Sequence, residues 1–290
     1  MNKLTLSNGW EKIDFIIHKN KIVLGQNVEL KHKLKQILRS YFYGTDSEFR
    51  KENEKESSVL LDSNPLLIKR TNYFEINMDY SLTEDCKMGT KSIVSKYFET
   101  VLDDMELFNT INTLDILFES LSTEISENQM IQAQFLKMTV KQLLKLMKPC
   151  YIEEFQKDEF DISYEELILI QLYLINKIQE KTLAENSIVL VEIPRLTNEI
   201  YKKITEIKNA YVIVLTNNAL ESINVENYAL FEENIIDFAD QDYIYELFGE
   251  HNGERKTIEE VYMMINSYIK GFYAYKEVYI INQINNFSLK

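Results

Sequence analysis

The chain has 290 residues, 45% of them apolar, and a formal charge of -14 from 32 basic and 46 acidic residues. That length can bury a substantial core, and no apolar run approaches the roughly 18 residues needed to cross a bilayer. Cys86 and Cys150, like His18, His32 and His251, share no ligand spacing, which argues against a zinc module or a disulfide scaffold.

Both cysteines are therefore expected to be core thiols. The opening MNKLTLSNGW has no charged-then-apolar leader, so a cytoplasmic protein without a membrane partner is expected. Seven Gly and three Pro leave little material for irregular loops, and regular elements should dominate. Charge is unevenly placed. Residues 1–45 hold eight basic and three acidic residues, a net of +5, which leaves -19 to the remainder. A basic end on an acidic chain fits a surface that meets a polyanion while the others repel it; solvated lysines without a partner are the alternative.

In chain order, KLTLS, KIDFIIH and KIVLG read as short strands, with HKNK as the turn between the second and third. After Asn27 the period changes. Leu30, Leu34, Ile37, Leu38 and Tyr41 form one apolar helical stripe, Lys31, Lys35 and Arg39 recur every four residues on another face, and Gly44 fits the stop. Residues 46–58 are highly charged and read as a surface excursion. NYFEINMDYSL alternates like a strand. From 91 to 181 the pattern is helical, through KSIVSKYFETVLDDMELF, INTLDILFESLSTEI, MIQAQFLKMTVKQLLKLMK and SYEELILIQLYLINKIQEK. SIVLVEI, a helix LTNEIYKKITEIKN, AYVIVLT and a short NIIDF follow, and TIEEVYMMINSYIKGFYAYKEVYIINQI closes the chain as a helical tract. Buried strands joined through helices imply a parallel sheet covered on both faces. The expected domains are an α/β head over 1–90, a helical lobe over 91–181, and the rest of the head with C-terminal helices over 182–290.

Three stretches have the order of nucleotide motifs. A phosphate-binding loop reads G-x-x-x-x-G-K-[ST], in which glycines expose amides to phosphate, Lys pairs with it and the hydroxyl holds magnesium. The window Gly25 to His32 keeps the first Gly and Lys31, but has Leu30 for the second Gly, His32 for the hydroxyl, and Glu29 where phosphate would lie. SIVLVEIPRL resembles the strand that presents an acidic pair before Pro in ABC-type ATPases, with Glu192 at the metal-ligand position and Ile193 replacing the water-activating carboxylate. YVIVLTNN resembles their switch strand, with Asn217 for His. Where those enzymes carry a Gly-rich phosphate sensor, DISYEELILIQLYLINKIQ has no Gly. The fold expected is an ABC-ATPase-like, P-loop-NTPase-like α/β head with a large helical insertion lobe. Neither nucleotide binding nor ATP hydrolysis is expected.

An ABC-like head with degraded motifs, a helical lobe and a basic N-terminal region resembles the Csn-two family, the fourth proteins of type II-A CRISPR loci, through KIVLGQNVELKHKLKQIL, SIVLVEIPRL and AYVIVLTNN. The resemblance implies a non-catalytic homotetrameric ring that holds linear double-stranded DNA by its ends in a lysine-lined hole during spacer acquisition. It also implies bound calcium and partnership with the CRISPR integrase and effector nuclease. A sequence-independent clamp needs cations that face phosphates, and Lys31, Lys35 and Arg39, extended by Lys19, Lys21 and Lys33, are the candidates. Lys202 and Lys203 are weaker because Glu199 and Glu206 are their helical neighbours. Calcium prefers several oxygen ligands in a flexible loop. Glu153, Glu154, Asp158, Glu159 and Asp161 form the densest set, and Glu119, Glu124 and Glu127 a second, without EF-hand spacing. A divergent nucleotide-dependent DNA-repair ATPase, and a protein-binding scaffold using Tyr262, Tyr268, Phe272 and Tyr273, are the other readings. Those four aromatics are expected chiefly in the core or at a subunit interface.

Overall fold

A computed structural model describes residues 2–44, 57–126, 132–149, 161–251 and 254–273. The elements are β1 (Asn2–Ser7), β2 (Lys12–Ile17), β3 (Asn20–Leu24), α1 (Val28–Tyr43), β4 (Ser58–Leu61), β5 (Asn64–Pro65) and β6 (Thr71–Ile76). Next come α2 (Leu82–Asp85), α3 (Ile93–Leu102), α4 (Phe108–Ser126), α5 (Val140–Leu146) and α6 (Tyr164–Lys181). The chain continues through β7 (Asn186–Glu192), α7 (Asn198–Glu206), β8 (Tyr211–Leu215), β9 (Tyr228–Phe231), β10 (Ile235–Asp237), α8 (Gln241–Phe248), β11 (Glu250–His251), β12 (Glu254–Arg255) and α9 (Ile258–Ile269). It divides into two compact units, residues 1–78 with 184–290, and residues 79–183.

The first unit is a mixed α/β structure built on a six-stranded sheet of order β10-β9-β3-β8-β7-β6. Five strands run parallel, and β10 folds back antiparallel on β9. The apolar runs of β3, β7 and β8 are buried on both faces, as parallel strands must be when helices form their crossovers. A four-stranded antiparallel sheet, β2-β1-β4-β5, alternates instead, turning Leu4, Leu6, Ile13, Phe15 and Ile17 inward. The stripe Leu34, Ile37 and Leu38 of α1 joins these side chains to Ile188, Leu190 and Ile213 of the six-stranded sheet in one core. The helix starts at Asn27, whose side chain accepts from the Leu30 amide, and stops at Gly44 with φ +77°.

A buried ion pair ties the sheets together. Lys21, on β3, is 1% exposed, and its ammonium donates to Asp237 Oδ1 at 2.6 Å and to the Glu226 carbonyl at 2.9 Å. Asp237, at the end of β10, also accepts from the amides of Ile16, on β2, and Ala239. Lys21 therefore leaves the expected phosphate-facing set, because its charge is inside the molecule and consumed there. Burial pulls its ammonium below the ordinary lysine range, an effect opposed by Asp237.

The second unit is helical. Leu82, Val94 and Ile162 form its core with Leu167, Ile170 and Leu174 of α6 and half-buried Cys86 packed against them. α6 opens on a capping box between Ser163 and Glu166. The tract MIQAQFLKMTVKQLLKLMK is not one helix: residues 132–139 are not helical, and α5 spans only Val140–Leu146. Its start is set by reciprocal hydrogen bonds between Thr139 and Gln142, a capping box that outweighs the helical periodicity of the preceding residues. Those residues instead run beside α4, where Ser122 Oγ accepts from the Phe135 amide and the rings of Phe118 and Phe135 lie 5.1 Å apart. The charged excursion, apart from residues 57 and 58, lies outside the described residues, as do Cys150 and the closing tract beyond Tyr273. The described part of that tract is α9, begun by a capping box of Thr257 and Glu260. No described helix is long and apolar enough to cross a membrane.

Removing one charge of a buried pair strands the other. Lys21→Met is expected to lower stability by about 3–5 kcal/mol in urea unfolding followed by circular dichroism. Lys21→Met with Asp237→Asn removes both charges and keeps an oxygen for one of the two amides, Ile16 and Ala239, that Asp237 accepts on separate oxygens, so it should recover only part of that loss.

Candidate functional site

The site sits where β3 runs into α1. Gly25 has φ +98°, and a Cβ there would lie 2.2 Å from the carbonyl oxygen of Phe231, so only glycine fits. In a working phosphate-binding loop the next amides point at an anion. Here the protein supplies its own acceptors. Gln26 N donates to Glu232 Oε1 at 3.0 Å, Asn27 N to the Phe231 carbonyl at 3.1 Å, and Leu30 N to Asn27 Oδ1 at 2.9 Å. The Asn27 side-chain amide donates to the Glu232 carbonyl at 2.6 Å. Leu30 turns toward the core rather than leaving space for a phosphate, and His32 is exposed. Glu232 thus brings a carboxylate to the loop amides. Nothing in the sequence separated it from the other acids beyond its place directly after the apolar run YALF.

The cations of α1 meet successive strands. Lys31 donates to the Thr216 carbonyl, just past β8, at 3.4 Å. Lys35 pairs with Glu192, the last residue of β7. Arg39 grips Glu75 of β6 with Nε 2.8 Å from each carboxylate oxygen and a further bond from Nη2. Four residues of helix rise about 6 Å and neighbouring strands lie about 4.8 Å apart, so a slanted helix hands each cation to the next strand. β8, β7 and β6 are neighbours in that order.

Electrostatics follow from these contacts. Burial lowers the affinity of Lys31 for its proton, against the pull of Glu232 and Glu192. The hydrogen bonds to Glu75 push the Arg39 guanidinium up, and Glu75, its side chain 11% exposed, also accepts from the Tyr73 hydroxyl at 2.8 Å. Burial chiefly, with Glu75 beside it, raises the Tyr73 phenol far above the ordinary range. Glu192, the sequence's candidate metal ligand, faces an ammonium, which opposes a second cation at the same oxygen.

The other expected residues fall elsewhere. Lys33 pairs with Glu11 at 2.6 Å and Glu29 at 3.6 Å, and the hydrogen bond it donates to Glu11 raises its ammonium. Lys19 donates to the Thr205 carbonyl near the end of α7, and partial burial lowers its ammonium. Lys203 pairs with Glu206 at 2.9 Å, and Lys202 is exposed. Glu153, Glu154, Asp158 and Glu159 lie outside the described residues, as does Glu127; Asp161, Glu119 and Glu124 are exposed. Among the described residues no three carboxylate, histidine or cysteine side chains are grouped to hold a metal ion. Of the C-terminal aromatics, half-buried Tyr262 donates to the Phe238 carbonyl at 3.1 Å, and Tyr268 meets Phe272 edge-on at 5.4 Å.

No family model matches the chain, and no curated protein matches it. Among solved structures, Stu0660 of Streptococcus thermophilus aligns over 91% of this chain and 84% of its own, with TM-score 0.61 and 16% identity. The SmcHead bound to the C-winged helix domain of ScpA aligns over 81% of this chain and 95% of its own, with TM-score 0.40 and 14% identity. The likeness to Stu0660 is one of fold.

The Arg39–Glu75 contact is bidentate and its carboxylate largely buried, so it should behave as a strong pair. A double-mutant cycle with Arg39→Ala and Glu75→Ala is expected to give a coupling of about 1–2 kcal/mol in thermal or urea unfolding.

Proposed function

We propose that this chain is a non-catalytic protein of the Csn-two type. In this reading its first unit is an ABC-ATPase-like, P-loop-NTPase-like head, and it binds linear double-stranded DNA by its ends, as a homotetrameric ring, in type II-A CRISPR spacer acquisition. The observation that supports it best is the occupation of the loop after β3. The amides that a nucleotide phosphate would need already donate within the protein, two of them to Glu232 and the Phe231 carbonyl. A second carboxylate, Glu192, is held by Lys35. An entering phosphate would have to displace Glu232 and meet Glu29 in the first turn of α1, a repulsion that binding energy would need to overcome. The architecture of a nucleotide-binding head without an open phosphate site fits a scaffold that holds DNA rather than an enzyme that consumes ATP. The overall likeness to Stu0660 across most of both chains fits the same reading at the level of fold. Calcium, a cytoplasmic location, and partnership with the integrase and effector nuclease belong to this proposal.

Two measurements test it. Magnesium-ATP at millimolar concentration should leave the melting temperature unchanged, since a ligand that binds only the folded state raises it. A clear upward shift accompanied by phosphate release would overturn the non-catalytic reading in favour of a divergent ATPase. In gel shifts, with calcium or chelator, the protein should bind a linear duplex and not the same duplex as a covalently closed circle, with affinity falling steeply as salt rises. Equal binding to both forms would remove the threaded ring, and binding to neither would remove the DNA reading.

A further inference from the structure

On α1, Lys33, Lys35 and Arg39 are each paired with a carboxylate of the same unit, so cations more open to an external polyanion are to be sought elsewhere. Residues 132–149 hold four lysines, Lys137, Lys141, Lys145 and Lys148, and no acidic residue, in a chain whose net charge is -14. All four are exposed. On α5, Leu144 is buried and Val140 and Leu143 are half-buried on one face, while Lys141 and Lys145 lie one turn apart on another. Lys137 and Lys148 flank the helix on either side. The Thr139–Gln142 capping box holds the start of the helix. Among the described residues, Lys141, Lys145 and Lys148 have no carboxylate within the 4.0 Å of an ion pair, and Lys137 has only Asp115 at 3.9 Å. Two acids close by in the same unit are held by other lysines: Glu99 pairs with Lys96, and Asp104 with Lys181.

The contrast with α1 is physical. A cation already paired with a carboxylate presents a dipole to a passing phosphate, whereas an unpaired ammonium presents a full charge and can displace a condensed counterion from DNA. Clustered like charges also repel one another, and a polyanion relieves that repulsion. We infer that Lys141, Lys145 and Lys148, with Lys137 beside them, form the surface of the helical unit that contacts the phosphate backbone of duplex DNA. This rests on the DNA-binding reading above and names the residues through which that binding occurs. Contacts of this kind carry no base information, in keeping with binding that ignores sequence.

The test is binding of the full chain to a linear duplex, measured by fluorescence anisotropy across a salt series. Lys141→Gln/Lys145→Gln/Lys148→Gln is compared with Lys96→Gln/Lys177→Gln/Lys181→Gln, which removes the same charge from lysines that are paired. The first variant should lose at least tenfold in affinity, and the slope of log affinity against log salt should shrink by about one per lysine. The control should stay within about twofold of wild type, and the triple Lys→Arg variant should bind as wild type does. Single Lys141→Gln and Lys145→Gln variants, checked by circular dichroism, should each reduce the slope by about one and so guard against a folding defect in the triple variant. If the wild type binds and the first variant binds equally well with an unchanged slope, this inference fails and the DNA reading stands. If the wild type binds no duplex, both fail.

Discussion

The Lys21–Asp237 pair is the constraint on which the first unit depends. Asp237 ends β10, yet it receives the ammonium of β3 and the backbone amides of Ile16 and Ala239. It therefore joins the edge of the antiparallel sheet to the parallel one at a place where water is excluded. Two ions taken out of water are costly unless each finds its partner and its remaining hydrogen bonds. The additional donors to Asp237 and the Glu226 carbonyl at Lys21 satisfy that condition, and the mutual placement of β2, β3 and β10 follows from it.

α1 occupies the space between those sheets, and its two faces do different things. The apolar stripe makes the core with both sheets, while the cationic face lies across the ends of β8, β7 and β6. The polar groups of this region are spent on internal contacts: Glu232 at the loop amides, Glu192 at Lys35 and Glu75 at Arg39. The region is a structural lock rather than an open site. Around α5, by contrast, Lys141, Lys145 and Lys148 are exposed and have no ion pair among the described residues.

Much of the architecture was legible in the sequence because it rests on local periodicity. The strands KIVLG, SIVLVEI and AYVIVLT, the helix after Asn27 and the cap at Gly44 follow from apolar runs, spacing and backbone chemistry that act within a few residues. The short strands β4, β5 and β9 and the helix α8 were not read, since each has only two to eight residues and too little pattern to stand out. The helix expected through MIQAQFLKMTV failed for a local reason as well: the reciprocal bonds of Thr139 and Gln142 begin a helix, and the described residues before them, which are not helical, run beside α4, where Phe135 meets Phe118 and its amide donates to Ser122 Oγ.

The candidate site divides in the same way. By itself the sequence determined that Lys31, Lys35 and Arg39 share a helix face, and that Gly25 turns the chain from strand into helix, because spacing and backbone chemistry are local properties. Only the tertiary structure decided where those charges go. Glu75 lies 36 residues from Arg39 in the chain, Glu192 lies 157 from Lys35, and Asp237 lies 216 from Lys21. Whether a lysine is a free charge, a surface pair or a buried strut depends on which carboxylate the fold brings within a few ångströms, and no count of residues along the chain contains that distance.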